Sequence, residues 1–157
     1  MTLGDFKTIR HFTADEFEHV GGYEHVDEAV VRLADRIRHA YGRPLILKSA
    51  YRAPASNTDT GGAYKSQHLV GKALDLSPTH PDRAHYGALV MAALKHWCGG
   101  FGAYDDGHIH IDVRDTVVGA RWIGLEGVSY GWTWDNLEQV IGRASGSQRS
   151  PGDGRAP

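Results

Sequence analysis

Apolar residues recur at helical spacing in two long segments of the chain. Over residues 26–41 they fall three or four positions apart, which predicts an amphipathic helix packed against a core. Pro81 suits the first turn of a second helix. The apolar face of that helix carries Tyr86, Leu89, Val90, Ala93, Leu94 and Trp97. Two shorter helices are predicted, one from the capping-box spacing of Thr13 and Glu16 and one over residues 133–141.

Period-two alternation and short apolar runs predict strands at three places. Pro44 introduces an apolar run over residues 45–47, and residues 72–76 alternate around Asp75. Residues 108–113 place His108, His110 and Asp112 on one side and two isoleucines and a valine on the other. Together with the helices, these strands predict an α+β fold, a small antiparallel sheet with helices packed around it.

The chain is long enough for one domain, and its composition changes at two places. Residues 50–64 are rich in Pro, Asn, Thr, Asp and Gly, which predicts a long loop without secondary structure of its own, a kind of segment that often carries function. From residue 143 onward Gly, Ser, Arg and Pro dominate. We therefore expect a domain over residues 1–142 and a disordered tail over residues 143–157.

Charge and apolar content exclude several classes of partner. The formal net charge of −2 gives no electrostatic basis for binding nucleic acid or an anionic membrane. No apolar run approaches the roughly 18 residues of a membrane span. The first residues have no apolar segment typical of a signal peptide, so we expect cytoplasmic synthesis. A virion component and a product released to the cell wall by phage machinery both agree with this expectation.

The single cysteine, Cys98, excludes an internal disulfide. It ends an apolar helical pattern, which favours a buried small hydrophobic residue over a nucleophile.

Histidines and aspartates supply the candidate chemistry. The strand face with His108, His110 and Asp112 is either solvent-exposed or part of a site. His68 precedes Asp75 by seven residues, and a glycine between them allows the chain to turn into the strand. Asp75 lies between two leucines, where an unpaired carboxylate is costly and a metal would compensate its charge. His68, Asp75 and a second histidine would form a competent zinc set of three ligands, and without thiolates such a set is typical of a catalytic site.

Several short motifs occur in an order that resembles the zinc D-alanyl-D-alanine carboxypeptidase superfamily. This superfamily includes peptidoglycan metallopeptidases, phage L-alanyl-D-glutamate endopeptidases and the hedgehog-like metal-binding fold. The resemblance covers about residues 10 to 125. Its motifs are Ser49-Ala50-Tyr51-Arg52, Asn57, Gly61-Gly62-Ala63, Ser66-x-His68-x-x-Gly71-x-Ala73-x-Asp75, His108-Ile109-His110-Ile111-Asp112 and Arg121-Trp122.

The resemblance implies one zinc ion per chain, held by His68, Asp75 and His110. It implies that Arg52 binds a carboxylate or the scissile carbonyl oxygen of a substrate, whereas a surface salt bridge is the ordinary alternative for such an arginine. Ser66 would contact the substrate or support a ligand, and Asp112 would orient a ligand histidine.

The chain departs from the superfamily at the general base. Many members carry an acidic residue three positions before the last histidine ligand, and here that position is Gly107. Asp105, Asp106 and His108 are the nearby candidates. If the strand extends backwards, Asp106 and His108 share a face with the metal ligands, so these two are favoured as catalytic residues.

The implied function is hydrolysis of D-amino-acid-containing peptide bonds in peptidoglycan. Such an enzyme would be a D-Ala-D-Ala carboxypeptidase or a cross-link endopeptidase, with peptidoglycan peptide as its partner. The alternatives are a non-catalytic zinc domain that binds cell-wall peptide, and a structural component of a phage-like particle.

Overall fold

The computed structural model describes residues 1–96, 98–116 and 118–144. Helices and strands alternate along this part of the chain, with short 3-10 turns at Asp5–Thr8, Tyr23–His25 and Gln67–Val70. The helices are α1 (Asp15–Glu18), α2 (Glu28–Tyr41), α3 (Pro54–Asp59), α4 (Arg83–Leu94) and α5 (Trp134–Ala144). The strands are β1 (Leu45–Ser49), β2 (Ala73–Pro78), β3 (Gly100–Tyr104), β4 (Ile109–Asp112), β5 (Ala120–Leu125) and β6 (Val128–Gly131).

The strands form a six-stranded sheet in the order β1-β2-β4-β3-β5-β6. All neighbouring strands are antiparallel except β3 and β5, which are parallel. Strand β5 follows β4 in the chain and runs antiparallel to it, but it pairs with β3. Because β3 is also antiparallel to β4, β3 and β5 are parallel. The predicted α+β fold with a mostly antiparallel sheet is confirmed. Strands β3, β5 and β6 were not predicted, because their glycines and mixed side chains hide the alternation.

The two faces of the central strands have different chemistry. Leu74 and Leu76 of β2 and Ile109 and Ile111 of β4 are fully buried in the hydrophobic core. Helices α2 and α4 pack against β2, and α5 packs against β3 and β5. Since side chains alternate across a strand, the intervening Asp75 points away from that core. The helix layer therefore fixes which face of the sheet is left for polar groups.

The two long helices begin and end at recognisable signals. The Asp27 carboxylate caps α2 by accepting a hydrogen bond from Ala29 N at 2.8 Å, and Gly42 ends the helix in the left-handed conformation. Asp82 caps α4 in the same way, so this helix begins at Arg83 and Pro81 lies just before it. The apolar face predicted for α4 is buried at Tyr86, Leu89, Val90 and Ala93, whereas Trp97 lies outside the described residues.

Two segments differ from the sequence-based expectation. Residues 50–64 were expected to lack secondary structure, but they contain α3, which begins at Pro54. Helix α5 continues to Ala144, which is buried, so the first two residues of the expected tail belong to its last turn. The rest of that tail, residues 145–157, lies outside the described residues. Among the described helices, none has the length and apolarity that a membrane crossing requires.

Candidate metal centre

The residues proposed as zinc ligands meet on the sheet face opposite the core. Asp75 and His110 lie directly across from each other in the antiparallel pair of β2 and β4. His68 lies in the 3-10 turn that precedes β2, and Gly71 ends this turn with a φ of 68°. A Cβ at position 71 would lie 1.8 Å from the carbonyl oxygen of His25, so only glycine fits there. All three candidate ligands are buried.

One atom from each candidate ligand faces the other two. His68 Nε2 lies 3.2 Å from both Asp75 Oδ1 and His110 Nδ1, and the last two atoms are 3.0 Å apart. Each histidine uses its other ring nitrogen as a donor: His68 Nδ1 to Ala50 O at 2.6 Å, and His110 Nε2 to Asp112 Oδ2 at 3.2 Å. A neutral imidazole that donates through one nitrogen offers a lone pair at the other. The three facing atoms therefore form a set of electron-pair donors.

The dimensions of this triangle suit a zinc ion. Tetrahedral zinc with bonds of about 2.0 to 2.1 Å has ligand–ligand edges of about 3.3 Å. The observed edges of 3.0 to 3.2 Å are close to that value. Two imidazoles and one carboxylate are also the donor set of catalytic zinc sites, which keep the fourth position for water or substrate. The residues present fit the metal in type, number and spacing.

Asp112 supports this centre from behind His110. It is fully buried and accepts hydrogen bonds from His110 and from the backbone and guanidinium of Arg114. Burial disfavours its charged form, yet the hydrogen bonds from His110 and Arg114 hold the pKa of Asp112 well below its usual range. Burial likewise opposes charge on His110, but hydrogen bonds to Asp112 and Asp75 raise the pKa of this imidazole. The local field therefore favours positive charge, which also favours a cation.

Arg52 holds the other oxygen of the Asp75 carboxylate. Arg52 Nη2 donates to Asp75 Oδ2 at 2.7 Å, and Arg52 Nε donates to Ser49 Oγ at 2.8 Å. Burial disfavours the charged carboxylate, but the two histidines beside it, His110 and His68, keep the pKa of Asp75 far below its usual value. Asp75 is therefore ionised at neutral pH, as a metal ligand must be.

A cavity of about 700 Å³ opens above the centre and is lined by all three candidate ligands. Arg52 and His108 also line it, whereas Asp106 does not. Asp106 Oδ1 instead accepts a short hydrogen bond from His108 Nδ1, and Asp106 Oδ2 lies 3.2 Å from Lys48 Nζ. Burial opposes the charge on Asp106, but the contacts with His108 and Lys48 hold its pKa well below the usual range. Asp106 therefore holds the His108 ring through Nδ1.

The backbone explains why position 107 carries no carboxylate. Gly107 has a φ of 85°, and a Cβ there would lie 2.5 Å from Pro81 Cβ. Asp105 does line the cavity, but its Oδ2 accepts a hydrogen bond of 2.9 Å from the backbone nitrogen of Glu126. Asp105 therefore stabilises the turn between β5 and β6 through this hydrogen bond. Of the three candidate bases, Asp105 and His108 line the cavity, and His108 is the one held by a carboxylate, that of Asp106.

The sequence model of the Peptidase M15 family matches residues 10–112. The chain belongs to the Peptidase M15 family. No curated protein sequence matches it. The M15 family consists of zinc-dependent metallopeptidases, so a peptide substrate is implied. The matched residues include His68, Asp75 and His110, the same group that the fold brings together around a possible metal position.

Two further residues expected from the resemblance lie at the M15 cavity. Ser66 lines it and caps the 3-10 turn of His68, because its Oγ accepts from His68 N at 3.4 Å. Ser66 thus supports a candidate ligand through the backbone. Arg52 also lines the cavity, and its ion pair is with a buried candidate ligand, whereas the ordinary alternative was a surface salt bridge.

Sequence reasoning gave no role to two aromatic residues of this M15 chain. Tyr104 and Trp122 line the cavity, and Trp122 Nε1 donates to Tyr104 Oη at 2.8 Å. Their rings lie beside the two histidines of β4: Tyr104 stacks on His108 at 4.2 Å, and Trp122 lies 5.1 Å from His110. The signal in the sequence is faint, because it consists of single aromatic residues in strands rich in glycine.

Proposed function

We propose that the chain is a zinc peptidase that hydrolyses D-amino-acid-containing peptide bonds of peptidoglycan. The observation that carries this proposal is the buried triangle of His68 Nε2, Asp75 Oδ1 and His110 Nδ1 at a large cavity. Its edges and its donor types fit catalytic zinc, and the chain is a member of a zinc peptidase family. Zinc in such a site polarises a carbonyl group and lowers the pKa of water.

The surrounding residues supply the other groups that amide hydrolysis needs. His108, oriented by Asp106, accepts a proton at Nε2 from the attacking water and returns it to the leaving amine. Arg52 keeps donors beyond those used for Asp75 and Ser49, and these would bind a carboxylate or the carbonyl oxygen of the substrate.

A second cleft favours an internal bond as the target. This cleft, of about 600 Å³, shares the lining residues Arg52 and Thr60 with the metal-site cavity. It is also lined by His19, His25 and Lys48 and by no acidic side chain. A carboxypeptidase needs room for one terminal residue beyond the scissile bond, whereas an endopeptidase needs a cleft on both sides. Two neighbouring clefts on either side of Arg52 therefore favour cross-link or stem-peptide endopeptidase activity over removal of a terminal D-Ala.

Digestion of purified peptidoglycan tests the proposal and separates the two activities. Zinc-loaded wild-type protein is incubated with cross-linked sacculi and with a soluble pentapeptide ending in D-Ala-D-Ala, and the products are identified by mass spectrometry. We expect cleavage at an internal bond of the sacculi and little release of D-Ala. Asp75→Asn serves as the inactive control. Release of D-Ala alone would show a carboxypeptidase, and zinc-replete protein that cleaves neither substrate would refute the enzyme.

One observation favours a second candidate, a zinc domain that binds cell-wall peptide without cleaving it. The position at which relatives were expected to carry an acidic base is Gly107, and its backbone leaves no space for a side chain. If His108 does not act as a base, the same cavity would still bind a peptide. Co-sedimentation with intact sacculi, without loss of wall material, would identify this function.

A further inference from the structure

Two rows of residues run side by side across the cavity face of the sheet. In the first row, His110 of β4 pairs with Gly102 of β3, which pairs with Trp122 of β5. In the second row, Tyr104 of β3 pairs with Gly124 of β5, and the Tyr104 backbone nitrogen donates to the His108 carbonyl at 3.1 Å. Each row thus combines a histidine, an aromatic residue and a glycine.

The glycines provide the space that the aromatic rings occupy. A Cβ on Gly102 would lie 2.5 Å from two atoms of the Trp122 indole, and a Cβ on Gly124 would lie 2.2 Å from Tyr104 Cδ1. Because these glycines lack a side chain, the Trp122 ring leans across β3 towards His110, and the Tyr104 ring occupies the space beside Gly124 of β5. The position of both rings is therefore fixed by two close approaches that no other residue type permits.

Within the described residues, the Tyr104 hydroxyl accepts a hydrogen bond but donates none. A phenol offers one donor and can accept as well. Tyr104 Oη accepts from Trp122 Nε1 at 2.8 Å, and within the described part of the chain it donates to no protein acceptor. Burial raises the pKa of Tyr104, so the hydroxyl stays protonated at neutral pH. Tyr104 lines the same cavity as Arg52 and the candidate zinc ligands.

We propose that the Tyr104 hydroxyl, aimed by Trp122, donates a hydrogen bond to the substrate's carbonyl oxygen as that oxygen gains negative charge. The inference rests on the proposed function and adds a donor to it. A stacking surface for His108 needs only the ring, whereas the Trp122 N–H also fixes the direction of the Tyr104 hydroxyl. A fixed donor in a partly buried cavity needs no reorganisation during the reaction, which is the condition for effective oxyanion stabilisation.

Tyr104→Phe tests the hydroxyl while it keeps the ring that stacks on His108. We expect kcat to fall about 10- to 100-fold, KM to change by less than about twofold and zinc content to stay as in the wild type, while the melting temperature falls by about 2 to 4 °C because the Trp122 N–H loses its acceptor. Trp122→Phe, which removes the N–H that aims the hydroxyl together with part of the ring beside His110, should show a smaller loss of kcat. Tyr130→Phe, a half-exposed tyrosine on β6 that does not line the cavity, is the matched control. A Tyr104→Phe protein with more than about half of the wild-type kcat overturns the inference.

Binding of a tetrahedral mimic separates this inference from the proposed function. Calorimetry compares a phosphinate analogue of the wall peptide with the corresponding amide peptide in zinc-loaded wild type and Tyr104→Phe. We expect the variant to bind the phosphinate about tenfold more weakly and the amide equally well. If the wild type cleaves no wall peptide but binds the phosphinate more tightly than Tyr104→Phe does, the peptidase proposal fails. The Tyr104 hydroxyl is then still shown to donate a hydrogen bond to a negatively charged tetrahedral group. Equal phosphinate affinity in both proteins overturns the donor role, whatever the activity.

Discussion

Arg52 and Asp75 share a hydrogen bond of 2.7 Å between Nη2 and Oδ2, which turns the other carboxylate oxygen towards the two histidines. Oδ1 then lies 3.2 Å from His68 Nε2 and 3.0 Å from His110 Nδ1. The arginine therefore decides which oxygen can act as a ligand. Its motif lies before the metal-ligand segment in the chain, and the two are joined in space by the pairing of β1 with β2.

This relationship predicts that Arg52→Ala weakens zinc binding as well as activity. Without the arginine the Asp75 carboxylate can rotate, and loss of such an orienting partner typically costs about 10- to 100-fold in metal affinity. Competition with a fluorescent chelator gives the affinity. Arg52→Lys should recover part of it, because a lysine supplies charge without the two-pronged geometry. Wild-type zinc affinity in Arg52→Ala would show that Asp75 is oriented by its histidine contacts alone.

We expect one zinc ion per chain, bound by the triangle of His68, Asp75 and His110. Alanine at any of these three positions should reduce bound zinc to less than about a tenth, because two remaining ligands do not hold the ion firmly. Elemental analysis after dialysis against chelator-free buffer is the measurement. His80→Ala changes an exposed histidine and should stay fully loaded. Full zinc in His68→Ala or Asp75→Ala would refute the ligand assignment.

The base assignment predicts different outcomes for three neighbouring residues. His108→Ala should keep its zinc and lose about 10² to 10⁴ in kcat/KM, the usual effect of removing a general base. Asp106→Asn should lose less, about 10- to 100-fold, because it removes the carboxylate that orients the imidazole and leaves the imidazole itself.

Asp105→Ala should lower thermal stability while kcat/KM stays within about threefold, since its carboxylate holds the turn at Glu126. Steady-state kinetics and thermal melts on zinc-loaded proteins check all three. An inactive Asp105→Ala beside an active His108→Ala would move the base to Asp105.

Burial raises the pKa of Cys98 to about 12, so the native thiol stays protonated well above neutral pH. At about pH 8 an unfolded cysteine is partly thiolate, whereas the buried thiol is not, which predicts alkylation about 10³-fold slower in the native protein. Iodoacetamide labelling followed by mass spectrometry, with and without urea, measures this ratio. Equal rates in both conditions would show that the thiol is exposed in solution.

Truncation at two neighbouring positions tests where the domain ends. A chain ending at Ala144 should melt at the wild-type temperature, because residues 145–157 lack apolar periodicity. A chain ending at Gly142 loses the buried Ala144 and the last turn of α5, and we expect its melting temperature to fall by about 2 to 4 °C. Calorimetry of the two proteins and the full chain gives the comparison. A clear drop for the chain ending at Ala144 would show that the tail stabilises the domain.

The amino-acid sequence by itself determined the residue types and their local geometry. The apolar spacing of α2 and α4 and the alternation around Asp75 and His110 follow from chain periodicity, and the structure has these elements where they were predicted. His68 and Asp75, which become neighbours at the metal centre, could also be predicted as ligands, because they lie in one short motif and metal coordination restricts which residue types can serve. Even the turn at Gly71 is visible in the sequence, since only glycine adopts its conformation without strain.

Only the tertiary structure decided what lies across the strands. The parallel placement of β5 beside β3 brings Trp122 next to His110 and Gly124 next to Tyr104, and no local pattern encodes that pairing. Three side-chain contacts at the site depend on side-chain directions after the strands have paired. They are the contacts of Arg52 with Asp75, of His110 with Asp112 and of His108 with Asp106. Periodicity gives the face on which a side chain lies, whereas register and packing give its neighbour.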